Sequence, residues 1–146
     1  MSFQPIMNAA GVTAFWEEHF PQISGSREFE LVSIGPGMAL MRLKPDQRHL
    51  RPGGTISGPA LFTLADVAAY AVLLAHIGPE PLMVTTNLTM NFLRRPPPAP
   101  LLGECRILKL GKRLAVVEVG ICPEAGGDLV AHATGTYSVP PNLRVV

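Results

Sequence analysis

The chain has 146 residues, 47% of them apolar and only 16% charged, with a formal net charge of +1. That length suits one domain whose core needs no metal or disulfide staples. The small net charge excludes the electrostatic footprint of a nucleic-acid binder or of a protein held on an anionic membrane. More apolar residues are present than one core absorbs, so contacts between subunits are expected.

Residues 8–20 place Val12, Phe15, Trp16 and Phe20 as anchors of a short amphipathic helix. Residues 1–20 lack the basic and continuous apolar stretches expected of a signal peptide. Residues 29–34 and 38–43 are short apolar runs joined by Gly35-Pro36-Gly37, the pattern of a hairpin. Residues 44–57, with Pro45, Pro52, Gly53 and Gly54, read as a loop.

A long helix is predicted over 58–77. Ser57 is its expected N-cap, Pro59 is tolerated in the first turn, and Gly78-Pro79 stops it. The segment is long enough to cross a bilayer, but Asp66 near its centre would cost about 2.5–3.5 kcal/mol there. It therefore reads as a buried core helix. Its six alanines let neighbouring backbone approach on several faces.

Four strands follow, over 83–93, 101–110, 113–121 and 129–139. The first alternates Val84, Leu88, Met90 and Phe92 on one face with Thr85, Asn87, Thr89 and Asn91 on the other. The two cysteines fall on a hairpin with a turn at Gly111-Lys112. If Leu110 faces Arg113, Cys105 and Cys122 are offset by four residues, roughly 13 Å at about 3.3 Å per residue. That predicts free thiols and a cytoplasmic setting. The element order gives an α+β fold in one domain over 1–146, a curved antiparallel sheet wrapped around one long central helix: the hotdog arrangement.

Asp66 is the strongest chemical signal. A carboxylate in an otherwise apolar helix must find partners or change its protonation. Thr63 and Tyr70 share its helical stripe, which should meet a second subunit, a ligand or the Thr85/Asn87 face of the next strand. A purely structural Asp66, bonded to Thr63 or to backbone, is the competing reading. At Ser57-Gly58-Pro59 the helix N-terminus offers free N–H groups to a developing oxyanion; an ordinary Ser cap is the alternative there. The four histidines and two cysteines have no metal-ligand spacing, and neither a P-loop nor a Gly-x-Ser-x-Gly elbow occurs.

The runs Gly58-Pro59-Ala60-Leu61-Phe62-Thr63-Leu64-Ala65-Asp66 and Thr85-Thr86-Asn87-Leu88-Thr89-Met90-Asn91-Phe92-Leu93-Arg94-Arg95-Pro96, with Gly103-Glu104-Cys105 and the tail from Leu129 to Tyr137, resemble the phenylacetyl-CoA thioesterase-like branch of hotdog proteins. The resemblance implies hydrolysis of an acyl- or aryl-CoA thioester in a homodimer or homotetramer. Coenzyme A would enter as part of the substrate, with no other cofactor and no nucleic-acid or membrane partner. It implies Asp66 as general base or nucleophile, Gly58 N–H as oxyanion donor, and Thr85 as the residue that orients water or carboxylate. Ser57, Tyr70 and Asn87 would contact substrate, His49 or Arg51 would assist at the carbonyl, and Arg94 and Arg95 would meet coenzyme phosphates. The chain departs from the branch at Ser57-Gly58-Pro59, where His-Gly-Gly is usual. That departure motivates the alternative of a non-catalytic acyl-CoA-binding module. A hotdog dehydratase or hydratase ranks below both, because no His occupies 57–75.

Overall fold

The computed structural model describes residues 3–24, 28–80 and 82–141. Helix α1 (Ala9–His19) and the short helix α2 (Pro21–Ser24) precede a hairpin of β1 (Phe29–Gly35) and β2 (Met38–Leu43). A 3-10 turn over Gln47–His49 leads into α3 (Gly58–Ile77), and β3 (Val84–Phe92), β4 (Leu101–Leu110), β5 (Leu114–Pro123) and β6 (Ala131–Ser138) follow. All pairings are antiparallel, and the six strands lie in the order β1-β2-β4-β5-β6-β3. The expected curved sheet around a central helix is what forms.

Helix α3 starts and stops where local chemistry predicts. Ser57 is in extended backbone, and its hydroxyl accepts from Ala60 N–H. At the far end, Gly78 has φ 124°, a left-handed conformation that glycine alone adopts without strain. The helix is the one segment apolar and long enough to span a membrane among the described residues, and 78% of that span is buried in this fold. Its burial is nearly all round: Leu64, Ala65, Ala68, Ala69 and Ala71 are inaccessible. Apart from Gly58, His76 and Ile77 at its two ends, only a stripe of Pro59, Phe62, Thr63 and Asp66 stays open, at the i, i+3, i+4, i+7 spacing of one helix face.

Helix α1 begins at an Asn8 cap and buries Val12, Phe15 and Trp16. The fourth expected anchor, Phe20, lies just past its end, 39% exposed, and packs its ring against Tyr70 of α3. Alternation alone overestimates the burial of β3. It is an edge strand paired only with β6, and Val84 and Phe92 are 55% and 56% exposed.

Two β-bulges correct the register expected from alternation. On β4, the shift between Ile107 and Lys109 places Leu110 opposite Ala115 and not Arg113. Cys122 consequently pairs with Leu102, three residues from Cys105 and not four, and the thiols face opposite sides of the sheet. Both are free, as expected. On β3, Thr85 opposes Tyr137 while Asn87 opposes Thr136, so Thr86 is the extra residue. This second bulge reverses the facing of Thr85.

His76, on the last turn of α3, ties the helix to the β1–β2 turn. Its Nδ1 meets Val72 O at 2.7 Å, and its Nε2 accepts from Gly37 N–H at 2.9 Å. Burial lowers its pKa against the opposing pull of the Val72 carbonyl, and protonating Nε2 would remove the acceptor for Gly37. A histidine whose folded pKa is depressed stabilises fully above its unfolded value of about 6.5. That stability is lost as pH falls through the folded value. His76→Gln keeps one donor and one acceptor without titrating. Urea midpoints measured from pH 8 to pH 5 should fall more steeply on the acid side for wild type than for this variant. Parallel curves would show that His76 does not set this dependence.

Candidate active site

The half-buried Asp66 carboxylate on α3 meets two hydroxyls from adjacent strands. Thr85 Oγ1 donates to Oδ1 at 2.8 Å, and Tyr137 OH donates to the same oxygen at 2.5 Å. Both donors come from one cross-strand pair, Thr85 opposite Tyr137. The bulge at Thr86 makes this possible, because unbroken pairing would set Thr86 against Tyr137. Burial, and then the charge of Asp66, push the Tyr137 phenol far above its ordinary pKa, so its proton stays in place. No donor reaches Oδ2 among the described residues.

Asp66, Thr85 and Tyr137 form part of the wall of a cavity of about 620 Å³. Much of the remaining wall is apolar, with Phe20, Ile23, Phe29, Val67, Tyr70 and Met83. This is the shape and lining of a site for an apolar group of moderate size. Thr63 also lines it, but its hydroxyl bonds back to Pro59 O at 3.0 Å and not to Asp66. Of the three destinations open to the polar stripe, the one it meets within the chain is Thr85, without Asn87. Asn87 turns the other way, accepts from Thr89 Oγ1 at 3.3 Å, and lines neither this cavity nor the next.

Gly58 stands at a second cavity of about 460 Å³, with Arg51, Arg94, Arg95 and Phe92. At this helix start Pro59 has no N–H, and Ala60 N–H is taken by Ser57 Oγ. Gly58 N–H alone in that turn has no acceptor among the described residues. The Ser57 side chain is thus spent on the cap. Arg94 forms an exposed ion pair with Asp128 at 3.3 Å, and Arg51 and Arg95 show none among the described residues.

Of the two loop residues, only Arg51 reaches this second cavity. His49 is buried and fully engaged, with Nδ1 accepting from Asp46 N–H at 2.9 Å and Nε2 facing Glu28 Oε2 at 3.1 Å. Its carbonyl accepts from Ser57 N–H at 2.7 Å, so His49 positions the helix start through its backbone. Glu28, Asp46 and His49 bring three ligand atoms within 4.8 Å of one another, close enough for a cation. The Arg48 guanidinium ion-pairs with Glu28 and Asp46, so a positive charge of this chain already stands at that cluster.

Tyr137 is the participant that sequence reasoning missed. The available signal was a tyrosine on an alternating, core-facing strand, whose hydroxyl needs a partner, together with one lone carboxylate on the helix that strand must cover.

The thioesterase superfamily model matches residues 53–130, which is more than half of the chain and includes Gly58, Asp66 and Thr85. The chain belongs to the thioesterase superfamily. Human acyl-coenzyme A thioesterase 13 is 31% identical to this thioesterase over 124 residues, covering 81% of this chain and 83% of the relative. A solved structure from a Silicibacter species, itself provisionally assigned as a thioesterase, is 46% identical with a TM-score of 0.86. It covers 95% of this chain and 96% of its own. A point mutant of the phenylacetic acid degradation protein PaaI from Thermus thermophilus is 25% identical with a TM-score of 0.69, covering 87% of this chain and 99% of its own. The thioesterase thus has the hotdog architecture and lies near the phenylacetate-degradation branch that its motifs resemble.

Proposed function

We propose that this thioesterase hydrolyses an acyl- or aryl-CoA thioester to the free acid and coenzyme A, with Asp66 as the reacting carboxylate. The observation that carries the reading is the Asp66 geometry: Oδ1 held by two hydroxyls, Oδ2 without a donor, both beside an apolar cavity. Such a carboxylate can take a proton from water or attack the thioester carbon itself. The chemistry calls for no metal or redox group, because a backbone N–H can hold the oxyanion and coenzyme A is the leaving group.

That N–H is Gly58, and it belongs to a second copy of the chain. Gly58 and Asp66 are eight residues apart on one helix, about 12 Å along the axis at 1.5 Å per residue. A single thioester carbon cannot sit against both within one subunit. The open stripe of α3, the exposed Phe62 and the exposed apolar residues of edge strand β3 supply a surface for a partner. A two-fold pairing of this face sets Gly58 of one copy near Asp66 of the other and creates two equal sites. Both copies then contribute to each site, in a homodimer or a dimer of dimers. Arg51, Arg94 and Arg95 beside Gly58 suit the phosphates of the coenzyme. The free cysteines accord with a cytoplasmic setting.

Thiol release from aryl, short, medium and long acyl-CoAs tests the reading, with wild type and Asp66→Asn in parallel. Release by wild type that the variant loses supports it, and the best substrate names the acyl class. Ligand-induced stabilisation with no release from any substrate would replace hydrolysis with acyl-CoA binding alone. A single free N–H at the helix start is the observation that keeps this second outcome in view.

A further inference from the structure

Tyr137 carries an inference that deepens the thioesterase reading and rests on it. A phenol hydroxyl is costly to bury without a partner, and phenylalanine would fill the same space without that cost. Tyr137 is 2% exposed, and its hydroxyl meets Asp66 at Oδ1 (2.5 Å) and at the backbone carbonyl (3.2 Å). Thr85 brings a second hydroxyl to Oδ1 from the facing strand. The two donors come from different strands, and the β3 bulge keeps them side by side.

We propose that Tyr137 is a positioning residue that fixes the Asp66 carboxylate plane and, with Thr85, saturates Oδ1 so that Oδ2 is the oxygen that reacts. A carboxylate on a helix can rotate about its last torsion, and one hydrogen bond leaves that rotation partly free. Two donors converging on one oxygen from separate strands remove it. The remaining oxygen then has a fixed direction at the wall of the cavity, as proton abstraction or attack requires. Tyr137 lines the same cavity wall and acts on the reaction through Asp66.

Tyr137→Phe separates this role from simple packing, since it removes one oxygen and keeps the ring. In an enzyme whose wild type releases thiol, kcat should fall between about 10- and 100-fold with KM within about twofold. The acid side of the pH–rate profile should move to higher pH, because the carboxylate has lost a donor. A kcat within threefold of wild type, or a fall in kcat with the acid side unmoved, would overturn the positioning role. Replacing Tyr137 with 3-fluorotyrosine guards against a variant that does not fold. This residue keeps the hydroxyl and is the stronger donor, so the acid side should move to lower pH. No movement in the fluorinated enzyme would also overturn the proposal. Absence of thiol release in wild type would instead sink the thioesterase reading, a distinct result.

Discussion

Replacing Asp66 with Asn should lower thiol release from the best acyl-CoA by about 10²–10⁴-fold, the range expected when a positioned general base or nucleophile is lost. The same variant should keep the fold. Asn retains a carbonyl oxygen in the place of Oδ1, so Thr85 and Tyr137 keep their acceptor. Its amide group takes the place of Oδ2, which has no donor among the described residues, on a side chain that lines the cavity. The variant therefore removes the basic oxygen with little change in volume or in internal hydrogen bonding. Melting and size-exclusion behaviour should match wild type, and turnover alone should collapse. Turnover within tenfold of wild type would show that another group does the chemistry.

Removing the Gly58 N–H should cost about 10²–10³-fold in kcat, the range for loss of one oxyanion donor. Gly58→Pro does this at the first helical position, where an N–H has no intrahelical role. Ser57, at φ −73° and ψ 156°, already has the extended backbone that a following proline requires. Consecutive prolines in the first turn add strain of about 1–3 kcal/mol, and a melting curve reads that separately from rate. Gly58→Ala is the control. It keeps the N–H, and its Cβ would sit 3.5 Å from the Phe92 ring, an ordinary contact. The effect on rate should be large for proline and less than tenfold for alanine. Equal losses in the two variants would mean that the glycine matters for space and not for its N–H. The helix start holds no second free donor to compensate, because Pro59 has none and Ser57 occupies Ala60.

Much of this could be read from residues in order. Ser57, Pro59 and Gly78 mark the ends of α3 by chemistry confined to a few neighbouring positions. The alanines predicted burial on many sides, and Asp66 stood out as a carboxylate among them. The facing of Thr85 was less accessible. Strict alternation groups it with Asn87, and only the extra residue at Thr86 turns it toward the helix. A bulge of this kind is set by how β3 and β6 pair across 50 residues of sequence, and no nearby residue announces it. The β4 bulge shifted the cysteine register in the same way. Tyr137 was hidden for a related reason: its partner lies 71 residues earlier, joined to it only through the core. His49 is the converse. Its residue type suggested a role at the carbonyl, while its surroundings engage both ring nitrogens in holding a loop.

Each site, in the proposed mechanism, joins Asp66 of one copy to Gly58 of another, and complementation between inactive variants tests that directly. Asp66→Asn and Gly58→Pro are both expected to be nearly inactive in separate samples. When the two are denatured together and refolded at equal concentration, a site is intact if its carboxylate comes from one variant and its N–H from the other. Random two-fold pairing makes about a quarter of all sites intact, in a dimer or in a dimer of dimers. Thiol release from the mixture should therefore return to about a quarter of the wild-type rate. A mixture no more active than the sum of its two parts would contradict the shared site, and would put both groups to work within one chain or neither to work at all.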